Sequence, residues 1–298
     1  MNPLQYAELE ILQAFVAACE KLGLKYYLVC GTALGAVKYS GFIPWDDDVD
    51  VALPREDYER FLLEAPALLP QQIFVQNYKT DPYFPHIYTK LRNCNTTFIE
   101  EGTAHLAMNH GVYIDVFPLD GYPKGKISGK VFELRKKLFT WKQYCALKGD
   151  KNLKVRLRNQ FFRLLGYHKR TAKTLAKLDS FYKRYPAEAS AVWCNHGNWQ
   201  RSLEYAARTQ YGAGTGGVFE GLQVRIPEQY DAYLTQKYGD WRADLPEEKQ
   251  VSHHLWIVCD VDKPYTYYAN QNKNIHNTTT KHGCVDKKAI IYKEDNRK

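Results

Sequence analysis

Asp46, Asp47, Asp48 and Asp50 crowd into five consecutive positions of a 298-residue chain. In an extended strand alternate side chains share a face, so Asp48 and Asp50 project together while Val49 and Val51 turn into the core. Asp46 joins that face if the strand begins early, and Asp47 turns away from it. Carboxylates held a few ångströms apart raise one another's pKa unless a cation neutralises them. Hard oxygen donors of this kind suit Mg²⁺ or Mn²⁺, which keeps coordination positions open for substrate phosphates. A solvated acidic turn would have the same composition, but the upstream residues argue against it. Gly31-Thr32-Ala33-Leu34-Gly35 is a turn of small residues ahead of a helix. Such a turn lets backbone amides approach an anion, and the helix N-terminus favours negative charge. A phosphate-holding turn facing paired carboxylates is the minimal equipment for metal-assisted phosphoryl or nucleotidyl transfer.

The elements around these residues can be read from periodicity. Leu4, Ala7, Ile11, Phe15, Ala18 and Leu22 recur at helical spacing up to Gly23. An apolar strand over 25–30 then leads into the small-residue turn. Pro54 opens a helix with Tyr58, Phe61, Leu62 and Ala65 on one face. Shorter strands are expected over 73–76, 87–91, 96–99 and 112–117. The expected fold class is α/β (α+β), a mixed sheet with helices and an additional basic helical region. Residues 1–120 read as the catalytic core, 121–190 as the basic helical region and 191–261 as a part completing the catalytic domain. A polar, poorly ordered tail is expected over 262–298. Lys90 and Arg92 share one strand face and could hold donor phosphates; a solvated edge-strand pair is the equal alternative. Gly212-Ala213-Gly214-Thr215-Gly216-Gly217 fits G-x-G-x-x-G by letter only, since no strand precedes it and no helix follows, so a flexible loop is expected there.

The composition, 45% hydrophobic and 25% charged, is that of a folded soluble protein. Seven cysteines without a C-x-x-C pair argue for a reduced, cytoplasmic chain and against a disulfide scaffold or a recurrent zinc pattern. The N-terminal residues lack a basic region followed by an apolar run, and no stretch has the length of a membrane span. Charge is distributed unevenly. Residues 121–185 hold 19 Lys/Arg against 3 Asp/Glu, a net of +16, whereas the whole chain carries +8. Ordinary solvated helices, a surface for an anionic membrane and a nucleic-acid contact compete to explain this segment. With no recognisable nucleic-acid module, the last is set aside.

Gly31-Thr32-Ala33-Leu34-Gly35-Ala36-Val37, Gly41-Phe42-Ile43-Pro44-Trp45-Asp46-Asp47-Asp48-Val49-Asp50 and Pro54-Arg55-Glu56-Asp57-Tyr58 together resemble the LicD family. That family belongs to the nucleotidyltransferase-fold superfamily, is distantly similar to fukutin-type proteins and includes bacterial phosphocholine transferases. Further matching pieces are Gly111–Asp120, Phe219-Glu220-Gly221, Tyr238-Gly239-Asp240-Trp241 and the histidines at 253 and 254. The resemblance runs in order from about Tyr26 to His254. It implies Gly31 and Thr32 as the phosphate-contacting turn, Asp48 and Asp50 as metal ligands with Asp46 able to join them, and Asp115 as a third carboxylate from a neighbouring strand. It also implies that His254 contacts substrate or assists proton transfer. The implied reaction moves a phospho-alcohol head group from CDP-choline, or a similar nucleotide-activated donor, to a hydroxyl of a glycan precursor of teichoic acid, lipopolysaccharide or capsule. Such acceptors are often lipid-linked at the inner membrane face. Transfer of NMP to a sugar, and a non-catalytic binding role on the same fold, remain alternatives at this point.

Overall fold

The computed structural model describes residues 1–148, 152–197, 204–252 and 254–269. Helix α1 (Pro3–Leu22) begins on a reciprocal cap, in which Asn2 accepts from the Gln5 amide and Gln5 returns a bond to the Asn2 amide. It ends at Gly23, whose left-handed φ of 64° closes the last turn. β1 (Tyr27–Leu28) follows, then α2 (Cys30–Lys38), β2 (Asp50–Pro54), α3 (Arg55–Glu64), β3 (Ile73–Gln76), β4 (Thr89–Asn93), β5 (Thr97–Glu100) and β6 (Val112–Gly121). Next come helices α4 (Lys126–Tyr144), α5 (Leu153–Leu164) and α6 (Thr171–Tyr182). The last part holds β7 (Val192–Asn195), β8 (Tyr205–Ala207), α7 (Arg208–Tyr211), β9 (Thr215–Phe219), β10 (Leu222–Ile226), α8 (Tyr230–Tyr238), β11 (Trp256–Asp260) and α9 (Tyr265–Ala269).

The fold is mixed α/β with β6 as its central beam. One edge of β6 pairs in parallel with β2, and β1 lies outside β2. The other edge is shared: β4 takes the first half of β6 and β7 the last three residues, both antiparallel. β3 lies outside β4, and β8 outside β7. Because β2 and β6 run the same way, the chain between them must cross over, and α3 with β3, β4 and β5 fills that connection. Val49, Val51, Leu53, Ile114, Val116 and Leu119 are buried, and α1 packs over β4 and β6.

At the far end of β2 and β6, Arg55 joins both strands to the helical region. Its Nε and Nη2 donate to the two carboxylate oxygens of Asp120 at 2.7 Å, and Nη1 donates to Asp179 of α6 and to Glu59, both at 3.0 Å. The Pro54-Arg55 pair and the end of the Gly111–Asp120 motif thus do structural work away from the acidic loop. The glycine run at 212–217 is a turn that enters β9 rather than a wholly irregular loop, because Gly212 and Gly214 take φ of 53° and 80° and the next residues pair with β10. The strands around Lys90 and Thr97 each start later than the periodicity suggested. From the expected tail, Tyr265–Ala269 forms α9, fastened by the Tyr268 hydroxyl, which donates to Asp260 at 2.6 Å. Residues 270–298 lie outside the described residues.

Candidate active site

The parallel pairing of β2 with β6 puts Asp50 directly opposite Asp115. The Asp115 amide donates to the Val49 carbonyl at 2.8 Å, and the Asp50 amide donates to the Thr32 hydroxyl at 2.8 Å. Thr32 therefore fixes the carboxylate-bearing strand to the start of α2. Gly31 and Thr32 lie in the first turn of that helix, after Cys30 with a left-handed φ of 54°. The Gly31 Cα faces Asp46: a Cβ there would meet Asp46 Oδ2 at 2.7 Å. Only a glycine admits the acidic loop this closely.

Asp46, Asp47 and Asp48 precede β2 in a loop that three other segments hold. Gln5 of α1 donates to the Asp46 carbonyl at 3.1 Å. From the β9–β10 turn the Glu220 amide donates to the Ser40 carbonyl at 2.8 Å and Glu220 Oε1 accepts from the Phe42 amide at 3.0 Å, with the Phe42 and Phe219 rings 4.8 Å apart. Asp47, buried, accepts from the Ser252 hydroxyl and lies 3.0 Å from His254 Nδ1. His254 Nε2 then stands 3.8 Å from Asp48 Oδ2. Asp46, Asp47 and Asp48 lie before β2 rather than on it, so strand alternation does not govern them, and one imidazole ring stands beside both Asp47 and Asp48. His253 lies outside the described residues.

Beside Asp115 the sheet carries cations. Lys90 Nζ lies 2.8 Å from Asp115 Oδ1 and 3.1 Å from the centre of the Tyr113 ring. Arg92 is wholly buried: Nε donates to Gln76 Oε1 at 2.5 Å, Nη1 donates to the Gly111 carbonyl at 2.6 Å, and its plane covers Tyr113. The expected solvated edge pair is corrected here, because β4 is covered on both edges by β3 and β6. Lys90 faces the carboxylates, whereas Arg92 sits one register step away with Glu100 4.0 Å distant.

The electrostatics are those of an acidic pocket with too few cations. Burial and the neighbouring Asp48 and Asp47 charges push Asp46 up to about 8. Burial, Asp48 and Asp115 hold Asp50 well above the usual carboxylate range. Asp48 and Asp115 are raised mainly by burial, against the pull of His254 on the first and Lys90 on the second. Burial alone would depress His254, but the Asp47 hydrogen bond and the Asp48 charge bring it up to about 10. A cationic His254 thus flanks Asp47 and Asp48 at neutral pH, and Lys90 lies against Asp115.

Glu8 belongs to the same cluster and escaped the reading of motifs. It is buried on α1, its Oε2 has no hydrogen-bond partner among the described residues, and burial with the charges of Asp48, Asp47 and Asp46 raises its pKa strongly. The signal was present: Glu8 stands four residues after Leu4 and three before Ile11, in the middle of an apolar stripe. Ser252 gave no such signal, because only tertiary contact makes it a neighbour of the loop, and Glu220 was marked only as part of the matching piece Phe219-Glu220-Gly221.

An orphaned buried carboxylate oxygen beside several mutually repelling aspartates fits a divalent cation with hard-oxygen preference. Among the described residues, no three His, Cys, Asp or Glu side chains are gathered closely enough to hold a metal ion as they stand. The donor set suits an ion that keeps open positions rather than a fully protein-enclosed one.

A parallel strand pair carrying opposed aspartates, an acidic loop and a helix start against it defines a nucleotidyltransferase-type domain. Residues 23–147 match the family model described as "LicD/FKTN/FKRP, nucleotidyltransferase domain". A relative from Haemophilus influenzae, "Lipopolysaccharide cholinephosphotransferase LicD", is 28% identical over 256 residues, covering 83% of this chain and 93% of its own. An uncharacterised protein of Rickettsia prowazekii is 33% identical over 104 residues, about a third of each chain (35%).

Proposed function

We propose that the chain transfers phosphocholine from a nucleotide-activated donor, CDP-choline, to a hydroxyl of a lipopolysaccharide precursor; teichoic acid and capsule precursors are further acceptors of the same chemistry. The observation that carries this reading is the near-complete alignment with the Haemophilus lipopolysaccharide cholinephosphotransferase. The raised carboxyls of Asp46, Asp48 and Asp50 support it, since a site for phosphates must neutralise charge.

Asp48 and Asp50 would hold Mg²⁺ or Mn²⁺, with Asp46, Asp115 and Glu8 within the same acidic pocket. Bound there, the ion would neutralise charge on the donor phosphates. The amides at the start of α2 and the cationic side chains of Lys90 and His254 would orient the donor. Asp115 accepts the proton of the attacking hydroxyl, its basicity raised by burial against the pull of Lys90 2.8 Å away. A bond forms between the acceptor oxygen and the phosphorus carrying choline, the bond from that phosphorus to CMP breaks, and CMP leaves.

The test is a pair of reactions with Mg²⁺ and CDP-choline, one labelled in choline and one in the nucleotide. Choline label in the glycan with release of labelled CMP supports the proposal. Nucleotide label in the glycan replaces it by nucleotidyl transfer. Failure of divalent ions to raise the melting midpoint, together with no turnover, revives a non-catalytic role.

A further inference from the structure

The basic segment forms a helical hairpin whose apolar residues point outward. On α4, Ile127, Val131, Leu134 and Leu138 follow the i, i+4, i+7, i+11 spacing of one helix face, and all four are exposed, Ile127 at 81% and Leu134 at 61%. On α5, Leu153, Leu157, Phe161 and Leu164 do the same, with Leu164 at 82%. The opposite faces supply the packing: Phe132 of α4 and Phe162 of α5 are buried. Burying Phe132 and Phe162 instead of the leucines means that this fold has no internal use for the two stripes. Soluble proteins rarely expose apolar residues in such runs without a partner.

Charge completes the pattern. At 100° per residue, Lys130 and Lys137 flank one side of the α4 stripe and Arg135 the other, while Arg156 and Lys154 flank the α5 stripe on its two sides. All five are exposed. A second copy of this chain is a poor occupant, because the segment's net +16 would meet itself. A polyanion alone would not call for leucines between the charges. An anionic bilayer surface satisfies both features, with apolar side chains entering the acyl boundary and Lys/Arg meeting headgroups. Among the described residues no helix is long and apolar enough to cross a membrane, so the hairpin would lie on the surface.

The hairpin is anchored to the segments that precede β4 and follow β5. Gln143 near the end of α4 donates to the Pro85 carbonyl at 2.9 Å, and the His105 ring nitrogen Nε2 meets the Ala146 carbonyl at 3.0 Å. Arg163 of α5 donates to the Cys145 carbonyl at 2.6 Å, which ties the second helix to the end of the first.

We infer that α4 and α5 form an interfacial docking element for an anionic membrane leaflet, seating the catalytic domain on the surface. The inference does not depend on which head group is transferred. Flotation of the full chain with phosphatidylcholine vesicles, with and without about a third phosphatidylglycerol, tests it. Binding is expected to the anionic vesicles only and to fall as salt rises. Lys130→Glu, Arg135→Glu and Lys137→Glu together should weaken it by roughly tenfold or more. Leu134→Ser, Leu138→Ser, Leu157→Ser and Leu164→Ser together should weaken it comparably. These positions are exposed, so unchanged circular dichroism and donor binding are expected for both variants. The proposal is overturned by absence of vesicle binding, by equal binding to neutral vesicles, or by full binding of the serine variant, which would reduce the contact to charge alone. Concentration-dependent dimerisation that the serine variant abolishes, without vesicle binding, would assign the face to a second copy instead.

Discussion

Asp50 and Asp115 are register partners on parallel strands, so the two carboxylates are set side by side by backbone geometry rather than by flexible loops. Both are buried and both titrate above the ordinary carboxylate range, Asp50 through burial and the Asp48 and Asp115 charges. A fold that retains such repulsion in the absence of a cation is less stable than it could be, which is a common property of functional sites.

Asp48→Asn and Asp50→Asn should therefore separate function from stability. Turnover is expected to fall by at least ~10²-fold, the scale of losing a group that stabilises transferring charge. The metal-free melting midpoint should rise, by about 3 °C for each kcal/mol of repulsion removed. Thermal denaturation and product assays on the same purified variants check both halves. Near-normal turnover in either variant would exclude these residues from the chemistry.

Gly41 offers a way to move the acidic loop without touching a carboxylate. A Cβ at Gly41 would meet Glu220 Oε1 at 2.1 Å, and Glu220 also holds the Phe42 amide. Gly41→Ala should lower turnover by roughly tenfold or more, since small displacements of positioning groups are costly. Adding Glu220→Ala removes the clash and should recover part of the loss. Kinetic comparison of the single and double variants measures the coupling.

Arg55 lies in the buried bridge between β2, β6 and α6, away from the acidic loop. Its removal leaves Asp120 and Asp179 buried without their shared cation, a loss expected to cost about 3–5 kcal/mol. Arg55→Met should lower the urea midpoint strongly, while turnover per folded molecule stays within about twofold.

Glu100 predicts a pH signature. Burial alone would raise its carboxyl, but Lys90 and Arg92 bring it down to about 2. A depressed folded pKa contributes stability above the unfolded value of about 4.3 that is lost as pH falls through the folded value. Glu100→Gln should be less stable than the parent by about 3 kcal/mol at neutral pH. That difference should shrink below pH ~4 and vanish near pH ~2. Urea unfolding across that range tests the sign.

Local sequence made the first half of the site readable and little of the second. The acidic run, the small-residue turn and the alternating strand were visible because helix and strand periods act within a few residues. Thr32 has a further role that its turn did not announce: its hydroxyl accepts from the Asp50 amide, a bond that depends on how α2 meets β2. Lys90 and Arg92 looked equivalent by spacing, yet sheet register brings one to Asp115 and leaves the other packed on Gln76 and Tyr113. Ser252 carries no local pattern at all, and the Phe219-Glu220-Gly221 match marks Glu220 without saying which segment it holds. Similarly, a helical and basic segment was evident from residues 124–185, but the outward direction of its leucines depends on which face meets the core.

The lateral ties of the acidic loop also bear on the order in which the protein can mature. Asp47 and His254 are 207 positions apart, while Asp50 and Asp115 are joined across a crossover already complete at β6. Contacts of such separation carry the largest loop-closure entropy and condense late. During synthesis the paired aspartates can assemble on the central sheet long before the histidine leaves the ribosome. A nascent or truncated chain ending before β11 would thus have its acidic strand in place without the imidazolium beside it. On the proposed mechanism, which assigns His254 to the donor, competence for chemistry is therefore withheld until almost the whole described chain has been made.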